Sequence, residues 1–298
     1  MSGTQLDEDG PILTTVPVTA LGEAQIIGLS VFLPKLQRPK KAVFCFPGGT
    51  YNKQYYDIVA EGRPDYSFAR WLANDGNIVI CIDHLGVGDS SRPADGAAVT
   101  RHVLADAGAL AVDYVTAQLT AGTLIAGWPA MVDLPRVGVG HSLGGLVLLA
   151  LQARHRTFDA VAVLGWSNQP SSVTNKIPAS EPYVVIDRKM LRPFFHLNDV
   201  PEDLIVADDR RAEPVPAGIL LEGQEDQISS ADARTVDVPV FLCFGELDLC
   251  PNPHLEPSTY PNTDDVTLFR LIKSAHNHNF ASSRTQFFRR LSAWIAGV

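Results

Sequence analysis

The sequence has few cysteines, and their spacing matches no disulfide or zinc pattern. Only four of the 298 residues are cysteines and none forms a C-x-x-C pair, so neither a disulfide framework nor a zinc site is expected. Cys45, Cys81 and Cys243 lie inside apolar, strand-like runs and are predicted to be buried packing residues. Cys250 is the one for which partial exposure is expected. Cysteine usage of this kind favours a reducing compartment.

An excess of positive charge is also missing. The formal net charge is −9, which argues against nucleic acid and anionic membrane surfaces as partners, since both favour clustered Lys and Arg. No apolar window approaches the length that spans a bilayer, and the polar, acidic residues 1–11 show no signal-peptide pattern. Without an H-E-x-x-H or P-loop motif, no metal or organic cofactor is expected. We therefore expect a cytoplasmic monomer or homodimer that acts on a small molecule.

Strand-like and helix-like segments alternate along the chain. Two extended runs, 12–20 and 24–33, flank Leu21-Gly22-Glu23 and predict an antiparallel hairpin. Six further strands are predicted, and they cover residues 42–46, 78–82, 136–139, 160–164, 240–244 and 266–271. A helix capped by Asp65 or Ser67 is predicted before Asp75-Gly76, and the last helix around 287–295. The alternation predicts an α/β fold with a mostly parallel central sheet flanked by helices.

A long segment interrupts this alternation. More than seventy residues separate the strand that ends near Gly165 from the one that begins near Pro239, which is more than one crossover helix needs. We expect residues 167–238 to form a cap or lid inserted between the N-terminal part of the core, residues 1–166, and its C-terminal part, residues 239–298. Whether Arg188 or Arg192 in this segment points toward a substrate stays open.

A short motif, Gly140-His141-Ser142-Leu143-Gly144, lies between a predicted strand and the helix-like stretch 146–156. The bare G-x-S-x-G pattern arises by chance in roughly one chain of this length in ten, so its context decides its meaning. In a nucleophile elbow the serine occupies a strained strand-to-helix turn, and small residues on either side let the backbone fold tightly. The context here predicts Ser142 as a nucleophile at the top of a sheet.

A nucleophilic serine needs a base, and the base needs an orienting acid. Asp248 follows the predicted strand 240–244, and Glu246 is the weaker alternative; Asp264 and Asp265 are weaker still, since they precede a strand. Both His276 and His278 follow the last predicted strand. The chain order serine, acid, histidine is that of elbow-type hydrolases. The carboxyl ends of parallel strands are also where such sheets build their sites.

Together these motifs resemble the α/β-hydrolase superfamily, in its serine esterase and lipase-like form, over about residues 40–296. Residues 83–90 are similar to the family's D-x-x-G-x-G-x-S loop, and residues 245–251 to G-x-x-D followed by proline. The resemblance implies a Ser-His-Asp triad with Ser142 as nucleophile, Asp248 as orienting acid and His276 as base. His276 is preferred to His278 because it follows a small residue, as the family histidine does.

The resemblance also implies an oxyanion hole. One donor is the amide of Leu143, and the second is the amide of Gly49 or Thr50 in the loop of residues 46–51. Family members often begin this loop with His-Gly, and here Pro47 takes the place of that histidine.

The activity expected from these residues is hydrolysis of a carboxylic ester of a small, largely hydrophobic substrate through an acyl-enzyme on Ser142. Two alternatives remain open: hydrolysis of a lactone or a C–C bond by the same triad, and ligand binding without turnover. Dehalogenase and epoxide-hydrolase chemistry is disfavoured, because those relatives place Asp at the elbow. The candidate pocket residues are Tyr51, Trp166 and His278.

Overall fold

An eight-stranded sheet forms the centre of the fold in the computed structural model, which describes residues 10–35, 38–170 and 176–298. The strands of the chain are β1 (Ile12–Ala20), β2 (Glu23–Phe32), β3 (Ala42–Phe46), β4 (Ile78–Ile82), β5 (Arg136–His141), β6 (Ala160–Leu164), β7 (Tyr183–Val184), β8 (Val215–Pro216), β9 (Val240–Gly245) and β10 (Val266–Leu271). The sheet order is β1-β2-β4-β3-β5-β6-β9-β10, and β7 pairs with β8 in a separate ribbon.

The fold class predicted from the sequence is confirmed. β1 and β2 are antiparallel to their neighbours, whereas the pairs from β4 through β3, β5, β6 and β9 to β10 are parallel. β3, β4 and β6 are buried along their whole length, as expected for strands covered by helices on both faces. The predicted hairpin is also confirmed, with Leu21 and Gly22 as its two-residue loop.

Helices cover both faces of the sheet. They are α1 (Phe68–Asn74), α2 (Arg101–Ala121), α3 (Leu143–His155), α4 (Arg192–Phe195), α5 (Glu202–Asp209), α6 (Ala217–Glu222), α7 (Ser230–Thr235) and α8 (Arg284–Gly297). The apolar side chains of α2 and α3 pack on one face, and those of α1 and α8 on the other. Among the described residues, none of these helices has the length and hydropathy needed to cross a membrane.

Local chemistry explains where α1 begins, and apolar spacing explains α8. α1 begins after Ser67, whose hydroxyl oxygen accepts a hydrogen bond from the Arg70 amide, as one of the two predicted caps requires. Asp65, the other candidate cap, lies in the short 3₁₀ turn that precedes α1. α8 buries Phe287, Leu291 and Ile295 along one stripe, which confirms the predicted last helix.

The segment between β6 and β9 contains the β7–β8 ribbon and α4 to α7. We call residues 167–238 the insertion. Residues 1–9 of the predicted N-terminal core and residues 171–175 of the insertion lie outside the described residues. α6 is tied to the core by a backbone bond from the Gly218 amide to the Gly96 carbonyl, and the ribbon by the Tyr183 hydroxyl, which donates to the Pro93 carbonyl at 2.7 Å. α7 packs directly on α3, so the end of the insertion contributes to the helical layer of the core.

All four cysteines are buried and free. The partial exposure expected for Cys250 is therefore wrong, since this residue is only 7 % exposed. Its sulfur accepts a hydrogen bond from the Gln169 side chain. Burial raises the pKa of the Cys250 thiol to about 11, so it has little thiolate character at neutral pH.

Candidate active site

Ser142 lies at a sharp turn between β5 and α3. Its φ of 53° and ψ of −123° fall in a region that residues with a side chain rarely occupy. The flanking glycines have no room for a side chain. A Cβ on Gly140 would lie 2.4 Å from the Gly144 carbonyl oxygen, and a Cβ on Gly144 would lie 2.1 Å from the Phe46 carbonyl oxygen. The spacing of this motif is therefore required by the tight packing of the turn.

His276 bridges Ser142 and Asp248. Its Nε2 lies 2.8 Å from the Ser142 Oγ, and its Nδ1 lies 2.7 Å from the Asp248 Oδ1. A carboxylate can only accept hydrogen bonds, so the Nδ1–H of His276 donates to Asp248. Nε2 then presents a lone pair that accepts the serine hydroxyl. Three segments that are far apart in the sequence thus form one continuous hydrogen-bonded chain.

The Asp248 carboxylate is fully occupied. Oδ1 also accepts from the Leu249 amide at 2.8 Å, and Oδ2 accepts from the Gly245 amide at 2.8 Å and from the His278 Nε2 at 3.0 Å. Burial raises the pKa of Asp248, but its contacts with the two histidines outweigh burial and hold this pKa well below its usual range. Asp248 therefore stays ionised at neutral pH.

Glu246, the alternative acid, is exposed, and its carboxylate accepts a hydrogen bond from the Lys273 amide. His278, the alternative base, is completely buried and lies on the far side of Asp248 from His276. Its ring packs edge-on against Phe287, with 5.6 Å between the ring centroids. The structure thus brings both histidines to one carboxylate but only His276 to Ser142.

The loop that carries His276 is held from several sides. The His276 amide donates to the Phe194 carbonyl at 3.0 Å, and the Phe195 ring stacks on the His276 ring with 5.7 Å between centroids. From below, the His141 Nε2 lies 2.9 Å from the His276 carbonyl oxygen. Burial and the nearby rings of His276 and His278 lower the pKa of His141 well below its usual range, so His141 is neutral and donates from Nε2.

The loop after β3 passes directly over the elbow. A Cβ on Gly48 would lie 3.1 Å from the Ser142 Cβ, and one on Gly49 would lie 3.5 Å from the Leu143 side chain. The hydrogen bonds found in the described part of the chain include none from the amides of Gly49 or Thr50. Leu143 is the first residue of α3, where an amide has no acceptor within its own helix. None of these three amides therefore has a hydrogen-bond acceptor among the described residues.

The loop of residues 83–90 supports Lys53, which comes just after the loop that follows β3. The Asp83 carboxylate is fully buried and accepts hydrogen bonds from the amide of Lys53 at 2.7 Å and from its ammonium group at 2.5 Å. A Cβ on Gly88 would lie 2.4 Å from the Asp83 Oδ2, which explains a glycine in this motif. Burial lowers the pKa of Lys53, but Asp83 and Asp89 outweigh burial and raise it.

A small apolar cavity adjoins the loop after β3. Its lining includes Gly49 and Leu143 beside the serine, together with four aliphatic side chains, Val87, Leu104, Val215 and Ile219. His84 also lines it, and burial lowers the pKa of His84 to about 4 although the ring bonds the Pro47 carbonyl oxygen at 2.9 Å. The described lining therefore carries no charged group at neutral pH.

The structure places the candidate pocket residues at different sites. Tyr51 lines the cavity, but its hydroxyl is occupied, since it donates to the Asp208 carboxylate and accepts from the Asn277 side chain, each at 2.7 Å. Trp166 is half-buried and its Nε1 donates to the Ser229 Oγ at 2.7 Å. His278 lies behind Asp248 and is not among the described residues that line the cavity.

The two arginines of the insertion have different environments. Arg188 is 2 % exposed and contacts Thr50, Asp208 and Tyr51. Arg192 is partly exposed and pairs with Asp209 and Glu202 inside the insertion. The contact of Arg188 with Thr50 joins residues 138 positions apart, and no motif in the sequence signals it.

A family model described as the alpha/beta hydrolase family matches residues 42–289 of the chain. No curated protein matches its sequence. Solved structures share the fold at low sequence identity. A thermophilic esterase from Thermogutta terrifontis is 15 % identical, with a TM-score of 0.67 over 95 % of this chain and 98 % of that one. A soluble variant of monoglyceride lipase from Saccharomyces cerevisiae is 12 % identical, with a TM-score of 0.71 over 99 % and 98 %.

Proposed function

The chain belongs to the alpha/beta hydrolase family, and from this premise we propose that it is a serine hydrolase that cleaves carboxylic esters of small, largely hydrophobic molecules. The observation that carries the proposal is the chain of hydrogen-bonding contacts from the Ser142 Oγ through His276 to Asp248. Its two distances, 2.8 Å and 2.7 Å, are those of a nucleophile aligned with its base and of a base aligned with its acid.

The reaction begins when the Ser142 Oγ attacks the ester carbonyl and its proton passes to the His276 Nε2. Asp248 holds the His276 ring in the tautomer that can accept this proton, and stabilises the imidazolium that forms. The negative charge on the carbonyl oxygen is bound by the Leu143 amide and by the Gly49 or Thr50 amide. His276 then protonates the leaving alcohol. In the second half, His276 takes a proton from a water molecule as its oxygen attacks the acyl carbonyl carbon; the bond from that carbon to the Ser142 Oγ then breaks, His276 returns the proton to Oγ, and the carboxylic acid leaves.

The lining of the cavity beside the elbow favours a substrate with a hydrophobic acyl group. Its described lining has aliphatic side chains and a neutral His84, so a charged acyl chain would lose its hydration there without gaining an ion pair. Both the loop after β3 and the insertion contribute to this lining. We therefore propose that the insertion is the cap of the site, which is consistent with the contacts of Phe194 and Phe195 to His276.

The test is hydrolysis of a chain-length series of p-nitrophenyl esters by the wild type and by Ser142→Ala. We expect kcat to fall by a factor on the order of 10⁴–10⁶, as in other serine triads. Ser258→Ala, at an exposed serine in the 3₁₀ helix before β10, is the matched control and should keep full activity. Full activity of Ser142→Ala would refute the proposal.

A second readout separates a demanding substrate from a binding role. A fluorophosphonate should label Ser142 in the wild type, and intact-mass and peptide analysis would locate the label. Labelling without p-nitrophenyl ester turnover would point to a lactone or C–C bond substrate cleaved by the same triad. If neither labelling nor turnover occurred, ligand binding without catalysis would replace the proposed function.

A further inference from the structure

We propose that Arg188 is a positioning residue that holds the loop after β3 in the geometry needed to bind the anionic oxygen of the transition state. The inference rests on the proposed serine hydrolase function and adds a role for the insertion within it. The insertion then supplies part of the catalytic framework as well as a cover for the substrate.

The Arg188 side chain reaches from the insertion into the core and binds Thr50 at two points. Its Nη2 donates to the Thr50 carbonyl oxygen, and its Nε lies 3.1 Å from the Thr50 Oγ1. The guanidinium also lies over the Tyr51 ring, 3.7 Å from the ring centroid. One buried fork therefore fixes the position of two successive residues of the loop, a geometry that arginine allows and lysine does not.

Thr50 needs this support because its backbone is strained. Its φ of 66° lies in the left-handed region, which is unfavourable for a β-branched residue. Strained residues of this kind persist only where the surroundings fix them, and they cluster at functional sites. The Thr50 carbonyl accepts a second bond, from the Glu213 amide at 2.9 Å. Arg188 and Glu213 both belong to the insertion, so its folding fixes the strained residue from two directions.

The same arginine is connected to the loop that carries His276. Its Nη1 pairs with the Asp208 Oδ1 at 3.0 Å, and the Asp208 Oδ2 accepts the Tyr51 hydroxyl. That hydroxyl accepts a bond from Asn277, the neighbour of His276. A buried network thus links the oxyanion loop to the histidine loop. Because Asp208 is 8 % exposed, a neutral replacement of Arg188 would leave its carboxylate buried without a cation.

Arg188→Lys is therefore the first variant, because it keeps a positive charge near Asp208 and loses the fork that binds Thr50. The matched control is Arg192→Lys, since Arg192 lies four residues away and pairs within the insertion with Asp209 and Glu202. For each variant we would measure kcat and KM with the best p-nitrophenyl ester. The inhibition constant of phenylboronic acid, which forms a tetrahedral adduct on an active serine, would be measured beside them.

We expect Arg188→Lys to lower kcat by about 30-fold or more, since losing one oxyanion donor costs roughly 10²–10³ in kcat. KM should change by less than about threefold, and boronic acid affinity should fall in parallel with kcat, because the loss is confined to the transition state. Arg192→Lys should stay within about threefold of the wild type in all three. Unchanged boronic acid affinity in a folded Arg188→Lys protein would overturn the role of Arg188.

If Arg188→Lys does not fold, Thr50→Val decides the question. It removes only the hydroxyl that faces the Arg188 Nε and keeps the side-chain shape. We expect kcat and boronic acid affinity to fall together by about three- to tenfold, the loss of one hydrogen bond. Equal values for Thr50→Val and wild type would overturn the proposal.

Fluorophosphonate labelling of Ser142 separates the serine hydrolase proposal from the proposed role of Arg188. Absence of labelling refutes the serine hydrolase, whereas labelling with unchanged boronic acid affinity refutes only the role of Arg188.

Discussion

Two histidines share the Asp248 carboxylate, but they stand in different relations to the serine. His276 lies between Ser142 and Asp248, whereas the His278 Nε2 bonds the second oxygen of the acid. A base must lie within hydrogen-bond reach of the proton it removes, and His276 alone meets this condition. His278 can act only through Asp248, by helping to keep its carboxylate oriented and ionised.

Substitution of the two histidines should therefore give unequal losses. His276→Ala should lower kcat on p-nitrophenyl esters by a factor on the order of 10⁴ or more, because it removes the base. His278→Ala should lower kcat by about 10- to 100-fold, since a hydrogen bond to a charged group contributes about 1.5–3 kcal/mol. Steady-state kinetics on both purified variants would test this, with circular dichroism to confirm folding. A larger loss in His278→Ala would mean that His276 is not the base.

Individual site residues could be predicted from the sequence only where they follow a strand. Ser142, Asp248 and His276 each lie within five residues of the end of a predicted strand, so a parallel sheet brings them to one edge. Arg188 has no such marker, because its partner Thr50 belongs to a separate part of the chain and the contact depends on how the insertion folds. His278 shows the same limit, since its spacing from His276 does not reveal which ring reaches the serine.

Among the elements, the strands were predicted best because burial on both faces leaves continuous apolar runs. β3, β4 and β6, which are buried throughout, begin and end where the sequence indicated, and so does the partly exposed edge strand β10, whereas β5 continues two residues further, into His141. This extension carries the chain straight into the elbow, and α3 starts immediately after Ser142 instead of at Leu146. A glycine-rich turn obscures such a boundary, because glycine has little preference for either element.

The β1–β2 hairpin offers a test at the scale of one element. Its two loop residues, Leu21 and Gly22, have φ values of 54° and 77°, the combination found in type I′ turns. Asparagine suits the first position far better than leucine, and Leu21 is exposed, so its side chain contributes little packing. We expect Leu21→Asn to raise the free energy of unfolding by about 0.5–1 kcal/mol in urea titrations. Leu21→Ala keeps the backbone strain and should not stabilise, so equal gains in both variants would contradict this explanation.

For the whole molecule, the central point is that the insertion and the core build the site together. The insertion supplies Arg188 and Glu213 to the loop after β3, the Phe194 carbonyl to the histidine loop, and two aliphatic side chains to the cavity. The length of the segment indicated an inserted unit, but its contacts depend on long-range packing that neither periodicity nor local motifs encode. The core was predictable because its alternation is local, and the insertion was not because its short elements are defined by what they touch.

The cavity shared by the two parts gives the last prediction. Ile219 on α6 and Val215 on β8 line it together with Gly49 and Leu143, so shortening Ile219 should enlarge the space open to an acyl chain. We expect Ile219→Ala to shift the preferred p-nitrophenyl ester by about two carbons. The kcat/KM ratio of the longer to the shorter ester should rise by about tenfold, because each buried methylene contributes about 0.8 kcal/mol.

Leu220→Ala is the control, since Leu220 is the buried neighbour of Ile219 and is not one of the described residues that line the cavity. Both variants should lose about 2–5 kcal/mol of stability, but only Ile219→Ala should change the chain-length profile. A shift of equal size in both would mean that general loosening of the insertion, and not the shape of this cavity, sets the acyl preference.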